Sequence, residues 1–284
     1  DYEVSYSYDQ VGRFAGVAWQ MGSHADAVSY SYLADSSLLS GYSSASGQQT
    51  VYQYAPQRNL KTSVENSFNG TVVSRYDYRY DTLGRRVDVV NTGTAFAGSG
   101  GDAHERYSYD DRNQLTGANR YSGTDVQDVS SPLAGRLRDY GYDPIGNRLD
   151  AVQGDLETHT YTANALNQYT DIDVDGQRQS PSHDLDGNMT SDGRGKSFTY
   201  NGENRLVSVL LDAGERRVSM VYDYLGRRVQ KRVEEREDAS WVQRKDVRFV
   251  YDGWNVVEER SGASTKRYAW GLDVSASRDR TGGV

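Results

Sequence analysis

The 284-residue chain predicts an all-β fold built from tandem β-hairpins. Three observations lead there. A four-residue phrase returns along the whole chain: Asp or Asn, two free positions, then Gly or Asn. Aromatic residues two apart precede it, and an apolar residue follows shortly after. Turn signals are dense and few stretches carry a helical period.

The phrase has a direct physical reading. Asp or Asn at the first position of a type I turn bonds the backbone two residues on. The fourth residue of such a hairpin loop is often left-handed, which Gly and Asn tolerate. The anchors are Asp9/Gly12, Asp81/Gly84, Asp110/Asn113, Asp143/Gly146, Asn164/Asn167, Asp184/Gly187, Asn201/Asn204, Asp223/Gly226 and Asp252/Asn255. The middle positions are almost free: Thr-Leu, Asp-Arg, Pro-Ile, Gly-Trp. All the fourth-position residues from Gly84 onward are expected at positive φ.

The flanks read as strands, taken in order. Tyr6 and Tyr8 lead into the first turn and Phe14 follows it. The 72 residues from Asp9 to Asp81 leave room for degenerate copies, "YSYLADSSLLSGY" (30–42) and "YQYAPQRNL" (52–60). Then come Tyr78 and Tyr80, Tyr107 and Tyr109, Tyr140 and Tyr142, Phe198 and Tyr200, and Phe249 and Tyr251. A period of two puts both rings of a pair on one face. Apolar residues resume at Val87, Leu115, Leu149, Leu206, Val229 and Val257. "YAWGLD" (268–273) reads as the start of another strand. Insertions are expected at 93–103, 122–136 and 234–240. About twelve units give roughly 24 strands. At ~4.8 Å per strand the sheet would run ~115 Å, long enough to demand curling. The expectation is one continuous repeat region over 1–284, coiled into part of a spiral wall.

Composition narrows the function classes. A net charge of −8 opposes a phosphate-backbone ligand, so no nucleic-acid partner is expected. Mean hydropathy is −0.80 and no apolar run approaches a membrane span. With no cysteine, disulfides are excluded and thiol chemistry with them. Tyr outnumbers Phe 23 to 5, which suits a thin sheet whose rings are buried and whose hydroxyls stay wet. The arginine pairs 85–86, 216–217 and 227–228 read as solvated strand positions.

"YDYRYDTLGRRV", "YGYDPIGNRL", "HDLDGNMTSDG", "FTYNGENRLVSV" and "YAWGLDVS" resemble the tyrosine-aspartate (YD) repeats of bacterial Rhs proteins. Those repeats are related to toxin-complex C components and to teneurins. The resemblance covers nearly the whole chain, more loosely over 20–60. It implies a spiral hollow shell, a C-terminal cargo or toxin domain inside it, and an extracellular or cell-surface location. The expected partner is the remainder of the same polypeptide. A surface or fibre module binding glycans or protein partners is the alternative. The family's shell is often closed by an autoproteolytic Asp-Pro motif. "DPIG" (143–146) matches its centre, but Arg138 stands where the motif has Pro, so the string reads as an ordinary repeat turn. The core region that would follow "YAWGLD" reads as missing.

Other constellations read as structural. "DIDVDG" (171–176) spaces Asp171, Asp173 and Asp175 like the first half of a calcium loop. Its twelfth position is Ser182 rather than Glu, so an alternating strand ending in an Asp-Gly turn is preferred. His24, His104, His159 and His183 lack ligand spacing and read as surface or hairpin positions. No nucleophile elbow, phosphate loop or nucleotide fingerprint occurs. The expectation is a chain with no catalytic residues and no cofactor.

Overall fold

The structure is a computed structural model, and it describes residues 2–154 and 156–272. Of the "YAWGLD" string, Asp273 lies outside the described residues, as does the segment that follows it. The chain divides into two compact units, 1–158 and 159–284.

The first unit holds β1 (Tyr2–Tyr8), β2 (Phe14–Met21), β3 (His24–Tyr32), β4 (Leu39–Ser44), β5 (Gln48–Tyr54) and β6 (Lys61–Phe68). It continues with β7 (Thr71–Tyr80), β8 (Arg86–Thr92), β9 (Ala103–Tyr109), β10 (Leu115–Ser122), β11 (Asp139–Tyr142) and β12 (Arg148–Gln153). They hydrogen-bond in chain order, every pair antiparallel. The boundary falls in β13 (Glu157–Ala163). The second unit adds β14 (Tyr169–Val174) and β15 (Gln177–Gln179), paired in order. A nine-stranded sheet follows: β16 (Ser182–His183), β17 (Met189–Ser191), β18 (Ser197–Tyr200), β19 (Leu206–Leu211), β20 (Arg216–Tyr222), β21 (Arg228–Glu237), β22 (Ser240–Asp252), β23 (Asn255–Ser261) and β24 (Ser264–Arg267).

Consecutive antiparallel strands put alternate turns at opposite edges of a sheet. The Tyr-Asp turns at Asp9, Asp81, Asp110 and Asp143 therefore share one edge of the first unit's sheet, and those at Asp184, Asn201, Asp223 and Asp252 share one edge of the nine-stranded sheet. The far edge carries two-residue turns such as Asn69-Gly70 (φ 48° and 79°) and Asp175-Gly176 (φ 49° and 84°). Two successive positive φ values define a type I′ hairpin, which matches the strand twist.

Opposed residues share a face, so the register sorts the side chains. In the first unit Tyr78, Val89 and Glu105 line one face, and Arg79, Asp88 and Arg106 the other. In the second unit Met220, Lys231 and Val247 share a face, opposite Ser219, Arg232 and Asp246. Every substantial contact among the described elements joins neighbours in the strand order or a short 3-10 turn beside them. Among the described residues no second layer covers the sheet within either unit. The buried apolar residues are accordingly few and scattered along the strands: Val17, Tyr52, Val89, Ala103 and Ala151 in one unit, Met220 and Val247 in the other.

With so little apolar burial, polar ladders carry much of the cross-strand specificity. Thr50 donates to Asn66 (2.7 Å), which donates to Ser74 (3.0 Å), linking β5, β6 and β7. Buried Asp88 holds Arg79 at 2.6 Å and Arg106 at 3.4 Å. Buried Glu234 accepts Arg217 at 2.8 Å.

Several expectations need correction. Residues 234–240 do not form an insertion: β21 and β22 run through them to a two-residue turn at Asp238-Ala239. Arg244, ion-paired with Glu235 (2.7 Å) and with Glu237, stitches the two strands together there. Residues 268–272 of "YAWGLD" are not strand. Segment 93–103 contains a 3-10 turn, Thr94–Ser99, and 122–136 is irregular apart from a bridge between Tyr121 and Pro132. His104 is not at the surface. It is fully buried, stacked on Tyr121 at 5.4 Å, with Nδ1 2.9 Å from the Gly123 carbonyl.

Candidate functional site: the latch between hairpins

The repeated phrase builds one constellation many times. At Asp223, Oδ1 accepts the backbone N–H groups of Leu225 and Arg227, both at 3.0 Å. The Asp223 carbonyl accepts the Gly226 N–H at 3.0 Å, and the Asp223 N–H donates to the Arg227 carbonyl at 2.9 Å. Gly226 has φ 84°, the left-handed angle that closes the loop and returns the chain to β21. Asp81, Asp110, Asp143, Asp184 and Asn201 bond the same second and fourth residues after them. Gly84, Gly146 and Gly187 have φ of 84°, 97° and 87°; Asn113, Asn167 and Asn204 have 66°, 60° and 57°.

One turn departs from the phrase. Asn255 is not at positive φ. Asp252 pairs directly with Asn255, so the loop is the two residues Gly253-Trp254, with Gly253 at φ 56°. A glycine directly after the Asp allows this tighter hairpin, and the left-handed position comes two residues earlier, at Gly253. Conversely, "DGRG" at 192–195 closes its loop in the same way but on the far edge, between β17 and β18, and no aromatic pair precedes it. Asp192 Oδ1 takes the Arg194 and Lys196 N–H groups, and Gly195 has φ 95°.

The fourth residue after the Asp, beyond the phrase itself, completes the site. It is Arg13, Arg85, Gln114, Asn147, Asn188 or Arg227, and its side chain donates to Oδ2 of the turn Asp at 2.6–3.1 Å. These carboxyls are held below their ordinary value. In Asp9, Asp81, Asp143 and Asp223 burial opposes ionisation, and the side-chain and backbone donors outweigh it. In Asp110 the Gln114 N–H leads, and in Asp184 the Asn188 side chain leads.

This fourth residue also reaches forward to the next hairpin. Arg13 stacks on Tyr32 (4.4 Å), Arg85 on Tyr109 (4.7 Å) and Arg227 on Tyr251 (5.1 Å). Arg85 donates to the Asn113 side chain at 2.9 Å, and Arg205 to the Asp223 carbonyl at 3.2 Å. Arg227 donates to the Gly253 carbonyl. Arginine is suited to this double role, because its planar fork bonds a carboxylate while its face stacks. The solvated reading of the arginine pairs therefore fails at Arg85 and Arg227. It also fails at Arg217, which pairs with Glu234 and stacks on Trp241 at 4.5 Å.

In most hairpins the tyrosine before the turn reaches backward, although Tyr200, before Asn201, makes no such bond among the described residues. Tyr32, Tyr54, Tyr80, Tyr109, Tyr142, Tyr222 and Tyr251 donate to the carbonyls of Phe14, Leu39, Lys61, Arg86, Leu115, Leu206 and Arg228, at 2.6–2.9 Å. In each case the acceptor opens the second strand of the preceding hairpin. Trp270 takes the same role, its indole N–H donating to the Val256 carbonyl at 2.7 Å. That bond explains "YAW" without a further strand. Ala163 and His183 stand at the clasp position of their hairpins and carry no phenol. The sequence signal for this clasp was present, since the residue before the turn is so often Tyr rather than Phe; a ring chosen only for packing has no need of a hydroxyl.

The other candidate residues do not converge. Asp171 accepts Arg178 at 2.6 Å and Ser180 at 3.1 Å. Asp173 accepts the Gly176 N–H at 2.7 Å, and Asp175 sits in the turn. Among the described residues, no group of three His, Asp or Glu side chains is placed to hold a metal. Asp143 and Pro144 of "DPIG" form an ordinary turn, with the Arg112 guanidinium on the Pro144 carbonyl at 2.6 Å. No helix among the described residues is long and apolar enough to cross a membrane.

The same hairpin succession occurs in the solved Photorhabdus luminescens Tc holotoxin pore carrying a TccC3 mutation. The match covers 92% of this chain and 14% of that one, at a TM-score of 0.67 and 18% identity. The chain has the Rhs-repeat fold. A TcdB2-TccC3 crystal structure shows it again, with a TM-score of 0.58 and 17% identity over 91% of this chain and 14% of the other. At these identities the likeness shows the fold alone. No family model matches the chain. Among curated proteins, the tRNA nuclease WapA of Bacillus subtilis is 30% identical over 145 residues, 48% of this chain. The tRNA3(Ser)-specific nuclease WapA of Bacillus spizizenii is 30% identical over the same length. The chain spans 6% of either protein. Within the Rhs-repeat fold, the latch is the element that repeats from hairpin to hairpin.

Proposed function

We propose that this chain is a non-catalytic wall segment of an Rhs-type protein, shielding a C-terminal cargo or toxin domain of the same polypeptide. The observation that carries this reading is the fate of its repeated polar groups. Turn Asp, following Arg and closing Tyr are consumed in joining hairpin to hairpin. A catalytic centre needs unlike groups converging once, within hydrogen-bond reach of each other and of a substrate. The Rhs-repeat fold, shared with chains of the Tc holotoxin, supports a structural role. The nuclease activity named for the WapA proteins belongs in this reading to a part of a longer chain that this one does not match. Secretion and a place at the cell surface follow from the same reading, as does membership of a polymorphic toxin system. Calcium is not required by it.

The surface-module alternative has one observation in its favour. A cleft of ≈ 690 Å³ opens beside the degenerate loops, lined in part by Tyr54, Pro56, Gln57 and Asn59. Amide and aromatic groups together suit a glycan.

The wall reading is tested on the full-length polypeptide by limited proteolysis. The C-terminal segment should resist digestion in the intact protein and become sensitive when Tyr222→Ala and Arg227→Ala loosen the latch. A C-terminal segment digested as fast in the intact protein as when expressed alone would overturn it. Hydrolysis of a glycan, peptide or tRNA by the purified chain would overturn the non-catalytic part.

A further inference from the structure

The chain holds 23 tyrosines and no cysteine. No thiol is there to intercept an oxidant, so one-electron oxidation falls on the phenols. Rings that touch across strands can then be joined. Tyr161 on β13 and Tyr169 on β14 stand with centroids 5.2 Å apart and planes tilted by 46°. Ala163, directly opposite Tyr169, offers only a methyl group, and the Tyr169 ring lies against Tyr161 instead. The Tyr30–Tyr42 and Tyr42–Tyr52 pairs are wider, at 5.9 and 6.3 Å. Tyr161 also has a proton acceptor. With the imidazole proton on Nε2, His159 Nδ1 accepts the Tyr161 hydroxyl at 3.3 Å, and the two rings stack at 6.2 Å. A phenol that loses an electron becomes strongly acidic, and a base already bonded to its hydroxyl takes the proton as the electron leaves. Both residues border a cleft of ≈ 260 Å³, lined also by Ile172, Gln179, Arg194 and Lys196. Gly193 seats the loop that carries Arg194, since a Cβ there would lie 2.5 Å from the Ser180 nitrogen. Asp192 offsets Lys196 at 3.9 Å, and Arg194 leaves the rim net positive, which favours a small anion.

We infer that Tyr161 and Tyr169 are a dityrosine-forming site for small anionic one-electron oxidants of the carbonate-radical class, with His159 as the proton acceptor. The Tyr161 electron goes to one carbonate radical anion, which becomes carbonate. The phenolic proton goes to His159 Nδ1, from which carbonate or buffer removes it. A second radical anion oxidises Tyr169, whose proton passes to the buffer. The two phenoxyl radicals join carbon to carbon, ortho to their oxygens. The hydrogens on those carbons then move to the oxygens as the rings regain aromaticity, so the chain loses two electrons and two protons in all. Hairpin β13–β14 carries Ala163 where other hairpins have the clasp phenol, and the new bond would tie its two strands covalently. The inference goes beyond the wall reading and holds equally for a surface module.

The test exposes the full chain, dilute enough to stay monomeric, to carbonate radical anions generated by flash photolysis. Cross-linked peptides of the monomer are mapped by mass spectrometry. The Tyr161–Tyr169 link, a loss of two hydrogens, should form about tenfold faster than Tyr30–Tyr42, a conservative share of what a positioned base contributes to proton transfer. His159→Phe, which keeps a ring against Tyr161, should remove that lead. Arg194→Ala should slow this link and leave Tyr30–Tyr42 unchanged, and Tyr161→Phe or Tyr169→Phe should abolish it. Equal rates at the two pairs in the unsubstituted chain, tyrosine oxidation without this link, or an unchanged rate in His159→Phe or Arg194→Ala would overturn the inference.

Discussion

Replacing Tyr222 by Phe removes one oxygen and little else. The Tyr222 hydroxyl donates to the Leu206 carbonyl at 2.8 Å, joining hairpin β20–β21 to hairpin β18–β19. The ring remains, and with it the nearby Arg205 guanidinium, 6.0 Å from its centroid. A net hydrogen bond is worth about 1 kcal/mol, and the half-buried site leaves the freed carbonyl partly able to find water. About 1 kcal/mol corresponds to roughly a fivefold change in an opening equilibrium. Repeat arrays open locally at their interfaces, so a single global unfolding energy is a poor readout. Native-state hydrogen exchange resolves it instead: amides of the β19–β20 ladder, such as Ser208 opposite Ser219, should exchange about fivefold faster. Tyr224 supplies the control. It lies two residues along, at the turn tip, 87% exposed, and Tyr224→Phe should leave the ladder unchanged. Equal effects from the two substitutions would refute the clasp.

Gly226→Val should cost roughly 1–3 kcal/mol of local stability, because φ 84° strains a branched residue and its Cβ would lie 3.0 Å from the Arg205 guanidinium; hydrogen exchange of the β20–β21 amides checks it, and Asn255→Ala, whose φ is not positive, should cost far less in β22–β23. Glu234→Ala leaves the half-buried Arg217 without its partner and should cost about 2 kcal/mol locally, measured by hydrogen exchange of the β20–β21 ladder. The turn carboxyls of Asp81, Asp143, Asp184 and Asp223 are held below their ordinary value of 3.8, so their contribution is complete above that pH. It disappears as pH falls through the lower folded values. Circular dichroism should therefore show an unchanged fold at mildly acid pH and loss only in strong acid, with a smaller loss in Asp223→Asn. Millimolar calcium should leave the melting temperature unmoved, since Asp171 is already engaged by Arg178 and Ser180; a rise that Asp173→Asn abolishes would contradict this.

The local backbone was legible in the sequence because it is locally encoded. The Asp that caps a turn, the Gly that supplies its angle and the alternation of aromatic residues all lie within ten positions of each other. The degenerate hairpins at 30–42 and 52–60 were legible for the same reason, through Tyr30 and Tyr32 and through Tyr52 and Tyr54. What stayed hidden depends on neighbours in space. Arg85 looks like any surface cation until Tyr109, some two dozen residues on, is placed against it. Asp252 carries the phrase, yet Gly253 offers a shorter loop, and four-residue pattern matching does not weigh the two closures. His104 was read as a surface or hairpin position; it lies in hairpin strand β9, and its burial was hidden because it comes from Tyr121 and Gly123, distant in sequence.

The central claim is that the phrase repeats because each hairpin must hold the next. A double-mutant cycle across one such interface measures this most directly. Arg85 stacks on Tyr109 at 4.7 Å and donates to Asn113 at 2.9 Å, bridging hairpins β7–β8 and β9–β10. Arg85→Ala, Tyr109→Ala and the double variant, followed by hydrogen exchange across β8 and β9, should give a favourable coupling of about 0.5–1 kcal/mol. Strict additivity, with both single effects confined to their own hairpin, would contradict the account.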